Sequence, residues 1–132
     1  MVMDEFYVGS CKTILLFPGA QASWDSAESL VPPAKKGKTG KKSDGRTQFR
    51  ARIKHYADRG QLQFPGHMNS EGEGCFVIKA NCGLRAWGWP QHLNGKAVFI
   101  ISHVVLKKTR KADPADLART IAARKQVQEE LK

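Results

Sequence analysis

A chain of 132 residues with 22 Lys and Arg against 12 Asp and Glu, a net charge of +10, is expected to form a single domain, residues 1–132, with its own core. No apolar run approaches membrane-spanning length, the acidic start from Met1 to Glu5 lacks the basic region of a secretory signal, and three cysteines without a CxxC pair signal neither a disulfide framework nor a zinc ribbon. The expectation is a reduced, cytoplasmic protein with no membrane contact.

The charge is unevenly placed. The first thirty residues lean acidic (Asp4, Glu5, Asp25 and Glu28 against Lys12), whereas Lys35 to Lys54 holds nine cations and the single anion Asp44. Blocks of cations favour phosphate-bearing partners, with an acidic protein as the other candidate.

In chain order, Phe6 to Val8 and Thr13 to Phe17 are short apolar runs that suit strands, ended by Pro18-Gly19. Ser23 to Leu30 suits a short helix capped by Ser23 and closed by Pro32-Pro33. Residues 34–45 (AKKGKTGKKSDG) have no apolar side chain larger than alanine, so burial does not offset their ordering entropy and a mobile basic loop is expected. From Arg46 the pattern becomes helical. Phe49, Ile53, Tyr56 and Ala57 share one stripe, Gly60 supplies a stop, and the remaining surface carries Arg46, Arg50, Arg52, Lys54, His55 and Arg59.

Gly66 to Gly74 reads as loop. Three strands of an antiparallel meander follow: Cys75 to Ala80, Leu84 to Trp89, and Lys96 to Leu106, the last two joined by a longer connection ending in Asn94-Gly95. Cys75 and Cys82 flank the first turn. Ala97 to Leu106 is β-branched-rich and apolar enough to be buried on both faces, and it delivers Lys107, Lys108, Arg110 and Lys111 at its mouth. Asp113 suits a helix cap, Pro114 its first position, and Asp116 its positive end. The final helix, Pro114 to about Leu131, places Leu117, Ile121, Val127 and Leu131 on one side, with Arg124 inside that stripe. The fold class is α+β, helices packed on a small sheet.

The segment Lys107-Lys108-Thr109-Arg110-Lys111, then Pro114 and an Ala/Leu-rich helix, resembles the C-terminal signature of phage-derived toxins in the RelE/HigB superfamily. Gly83-Leu84-Arg85-Ala86-Trp87 stands where that family has an Arg followed by aromatics, and Phe76-Val77-Ile78-Lys79 where it has an apolar–acidic–apolar–Arg strand. The basic helix from Arg46 to Arg59 matches the family's second helix in placement. The resemblance covers about residues 46–131. It departs at Val77, which replaces an acidic residue, at Lys79, which replaces Arg, and in the lack of a tyrosine near the C-terminus.

The resemblance implies a RelE-like fold and the toxin of a toxin–antitoxin pair, a ribosome-dependent mRNA endonuclease. Such enzymes use the RNA 2′-hydroxyl as nucleophile without metal or cofactor. Its partners would be the ribosome, mRNA and a cognate antitoxin of the helix-turn-helix type. Cleavage requires in-line positioning, charge neutralisation and two proton transfers. The candidate catalytic residues are Arg85, His103, Lys108 and Arg110, and the candidate RNA-binding residues are Arg50, Lys54, Arg59, Lys79, Lys107 and Lys111. By strand alternation His103 shares a face with Phe99, Ile101, Val105 and Lys107, where it is either a proton-transfer group or a satisfied core histidine. Trp87 and Trp89 share a face and either stack a base or pack as core. His55, His67 and His92 read as solvated. The competing reading is a non-catalytic module on the same fold that binds nucleic acid or an acidic protein.

Overall fold

The computed structural model describes residues 1–32, 45–62, 66–107 and 113–131. At its centre runs β6 (Lys96–Leu106), whose residues 98–104 are all buried. A strand of that composition needs cover on both faces, and the chain supplies it. One side of β6 is occupied by β5 (Leu84–Leu93), then β4 (Cys75–Lys79) and β3 (Met68–Gly72), all antiparallel in succession. On the other side lies β2 (Thr13–Leu16), with β1 (Asp4–Val8) antiparallel at the outer edge. The fold class is thus α+β, but the sheet is not purely antiparallel, because β2 runs parallel to β6, with Ile14 opposite Phe99 and Leu16 opposite Ile101. Local hairpins fix the direction of β3 to β6. Only tertiary packing fixes that of β2.

Each face of the sheet has its own core. On the first, α1 (Ala20–Ser29) and α2 (Gly45–Arg59) bring Trp24, Ala27, Phe49, Ile53, Tyr56 and Ala57 against Ile14, Ile78, Leu84, Ala86, Phe99 and Ile101. The stripe expected on α2 is the one buried, and Gly60 ends the helix at φ 80°. On the second face, α3 (Pro114–Glu130) sets Ala123 and Val127 on Trp89, Val98 and Ile100. Its buried side is centred on Thr120, Ala123 and Val127 rather than on the Leu117–Ile121–Leu131 stripe, and Leu131 is exposed. Arg124 makes a specific contact, donating to the carbonyl of Glu73.

Several local expectations change. Helix α1 begins at Ala20, with Gly19 preceding it at φ 92°. Ser23 is therefore inside the helix, where its hydroxyl donates to the Ala20 carbonyl and accepts from the Val104 N–H at 3.0 Å. The stretch read as loop contains β3, an edge strand of poor strand composition (MNSEG) held by its pairing with β4. Pro90 to Lys96 is not a long connection. Strand β5 continues to Leu93, and Asn94 (φ 52°) and Gly95 (φ 79°) form a two-residue hairpin turn of the primed type. The three cysteines are free thiols, with Cys75 opening β4 and Cys82 in the turn between β4 and β5. The Lys/Gly-rich segment 34–44 lies outside the described residues, while Gly45 already opens α2. No helix among the described residues is long and apolar enough to cross a membrane.

Candidate nucleic-acid interface

Three cations gather where β4, β5 and β6 end beside the start of α3. Lys79 and Arg85 are directly paired across β4 and β5, and Arg85 is opposite Val105 on β6, two residues before Lys107. Alternation puts Arg85 on the α3 face, since its neighbours Leu84 and Ala86 belong to the other core. Arg85 is 8% exposed. The turn that precedes it is sewn to the end of β6: the Lys107 N–H donates to the Gly83 carbonyl at 2.8 Å, and Gly83 holds φ 102°. A Cβ at Gly83 would lie 2.4 Å from the Lys107 carbonyl oxygen, so only glycine permits this approach.

Lys107 turns toward α3, 3.5 Å from Asp113 Oδ2 and 3.9 Å from Asp116 Oδ2. Asp113 caps the helix as expected, accepting from the Ala115 N–H at 2.9 Å. That bond, with Lys107 nearby, holds its carboxyl below the usual range. Asp116 also accepts from His103 Nε2 at 3.0 Å, while His103 Nδ1 takes the hydroxyl of Ser102 at 2.9 Å. A carboxylate only accepts, so the ring is the Nε2–H tautomer and both nitrogens are satisfied. The imidazole is fully buried and stacks parallel to Trp87, with ring centroids 6.3 Å apart. Burial pulls its pKa down, and Arg119 adds to this, outweighing the Asp116 hydrogen bond and charge that push it up.

His103 does not share the face of Phe99 and Ile101. A bulge at Ser102 shifts the β5–β6 register, pairing Trp87 with His103 but Gly88 with Ile101. One extra residue reverses the alternation, and His103 joins Lys107 on the α3 side. Trp89 packs in the α3-side core, and Trp87 is sealed beside His103, so both indoles are core. Trp87 Nε1 has no hydrogen-bond partner among the described residues.

The cations of α2 lie on the other face of the sheet. Arg50 forms a two-point contact with Glu28, Nε to Oε1 at 2.8 Å and Nη2 to Oε2 at 2.6 Å, and Trp24 Nε1 donates to the same carboxylate at 2.7 Å. Lys54 sits over the ring of Tyr7, 5.7 Å from its centroid. Arg59 instead opens onto a cleft of about 970 Å³. One wall of this cleft is a single stripe of α2 (Gln48, Ala51, Arg52, His55 and Arg59), and Gln61, Leu62 and His67 complete it.

Arg52 joins the two cationic regions. Its Nη1 donates to the Lys79 carbonyl at 2.5 Å, and the Lys79 N–H donates to the His67 carbonyl at 2.8 Å. Burial lowers the pKa of Arg52, although a guanidinium remains charged. Both cleft walls are thereby pinned to the residue that begins the strand-end row.

Of the residues singled out in the sequence, Lys79, Arg85, Lys107 and His103 come together beside α3. Arg50, Lys54 and Arg59 are separate from them, and Lys108, Arg110 and Lys111 lie outside the described residues. Arg52, His55 and His67 were not among the candidates. Their signal was a helical spacing of polar residues at 48, 52, 55 and 59, which identifies a stripe but not the wall opposite. No protein-family model, no curated protein and no solved structure matches this chain.

Proposed function

We propose that this protein is a metal-independent endoribonuclease that cuts mRNA on the ribosome, the toxin of a toxin–antitoxin pair. The reading is supported chiefly by Lys79, Arg85 and Lys107, set on adjacent strand ends at one end of the sheet. Such a row spans successive phosphates of a single strand and neutralises charge on a pentacoordinate phosphorus. The RNA supplies its own nucleophile, the 2′-hydroxyl, and the products are a 2′,3′-cyclic phosphate and a 5′-hydroxyl. An antitoxin of helix-turn-helix type would silence the enzyme by covering this basic surface. Brief induction followed by 5′-end mapping of cellular mRNA tests the reading. Wild type should arrest growth and generate new ends, and Arg85→Ala should do neither. Equal arrest by both removes Arg85 from the mechanism.

A second reading, a non-catalytic module holding nucleic acid or an acidic protein, is favoured by one observation: the histidine on the face of the row, His103, is sealed on both nitrogens. Under it, induction leaves mRNA intact, while RNA binding weakens steeply with salt through counterion release.

A further inference from the structure

We infer that the cleft along α2 is the RNA-cleaving pocket, with His55 and His67 as its proton-transfer pair; this rests on the ribonuclease reading above and gives it a seat away from His103. The sealed His103 leaves no solvent-accessible histidine beside the strand-end row among the described residues, whereas the cleft holds two histidines in reach of solvent. Histidine is the side chain suited to giving and taking protons near neutral pH.

The remaining lining fits a nucleotide chain. Arg52 and Arg59 supply positive charge, no carboxylate is among the described lining residues, and the nearby Asp58 is turned away to the Tyr7 hydroxyl and the Ser10 N–H. Leu62 and Ala51 offer an apolar surface for a base, and Gln48 and Gln61 offer amides to base edges or ribose. Its volume of about 970 Å³ admits a dinucleotide step, and pockets that enclose small ligands run from roughly 300 to 1,000 Å³. Arg52 and His67 are each bonded to the Lys79 backbone, which fixes both cleft walls relative to the end of β4.

The chemistry balances without a co-reactant. One histidine takes the 2′-hydroxyl proton as that oxygen attacks phosphorus, the P–O5′ bond breaks, and the other histidine gives its proton to the departing 5′-oxygen. Arg59 neutralises the phosphate oxygens.

The test uses the full chain with programmed ribosomes and a defined mRNA, read as single-turnover cleavage against pH. His55→Ala and His67→Ala should each slow cleavage by about 100-fold or more and each abolish one limb of a bell-shaped profile. His55→Gln, which keeps the side chain's bulk and polarity, should be equally slow at an unchanged unfolding midpoint. Arg59→Gln should weaken binding of a 2′-deoxy oligonucleotide that cannot be cut. Cleavage by the histidine variants at the wild-type rate, or dependence on one histidine only, overturns the pair while leaving the ribonuclease reading intact. Absence of cleavage by wild type overturns both.

Discussion

Asp116 has two structural tasks, and removing its carboxylate exposes how much the α3 face depends on it. In Asp116→Ala the buried His103 loses the acceptor of its Nε2–H, 3.0 Å away. An unsatisfied buried donor costs about 1–3 kcal/mol. Loss of a carboxylate in the first turn of α3 adds about 0.3–1 kcal/mol through the helix dipole. The contact to Lys107 at 3.9 Å is loose, and the nearer Asp113 retains that cation, so it adds little. The expected loss is therefore about 1–4 kcal/mol, a large fraction of the roughly 5–15 kcal/mol that holds a domain together. Asp116→Asn keeps an acceptor oxygen and should cost about 1 kcal/mol. Urea unfolding at pH 7.5 measures both, as a shift in midpoint at constant slope. An Asp116→Ala variant within about 0.5 kcal/mol of wild type, the scatter of a surface substitution, refutes the assignment of His103 as a satisfied neutral ring.

The pH dependence has a definite sign. Burial lowers the pKa of His103, so below about 6.5 the unfolded chain binds a proton that the folded chain resists. The stability present above that pH is lost as pH falls through the lowered value, and the melting temperature of wild type should drop between pH 7 and 5 more steeply than that of His103→Gln. Gly83→Ala forces a Cβ against the Lys107 carbonyl at φ 102° and should destabilise by about 2–3 kcal/mol, measured by urea unfolding. Arg50→Ala removes a cation already engaged by Glu28. It should lower stability by about 1–2 kcal/mol and leave RNA affinity unchanged in a binding titration. Trp24→Phe loses a hydrogen bond to a charged acceptor, whereas Trp87→Phe discards an N–H without a partner among the described residues, so unfolding measurements should find the former costlier by about 2 kcal/mol.

Elements whose signal is local were readable from the sequence. The buried stripe of α2 follows helical spacing, the cap of α3 follows from Asp113-Pro114, and β6 follows from a run too apolar to be exposed on either side. What escaped depends on partners distant in the chain. Strand β3 exists because β4 offers an edge to a segment with little strand propensity of its own, and the parallel placement of β2 follows from core packing against β6. Asn94-Gly95 carries the signature of a tight turn, and β5 runs past Trp89 and through Pro90 to reach it. Pro90 pairs with Phe99 beyond the last residue that β4 pairs, where a missing N–H costs no ladder bond.

The site shows the same division, with one consequence for the chemistry. Alternation assigns faces only while the register is regular, and the single extra residue at Ser102 moves His103 from one side of the sheet to the other. That displacement turns an apparent catalytic base into the acceptor and donor of a closed Ser102–His103–Asp116 chain, which fixes α3 and, through Asp116, the surroundings of Lys107. Among the described residues, no histidine beside the strand-end row is open to solvent. The Lys79 backbone is in turn bonded to Arg52 and to His67, both of which line the α2 cleft. On the proposed ribonuclease reading, binding falls to the cationic row and proton transfer to the histidine-bearing cleft, and the Lys79 backbone fixes the one relative to the other.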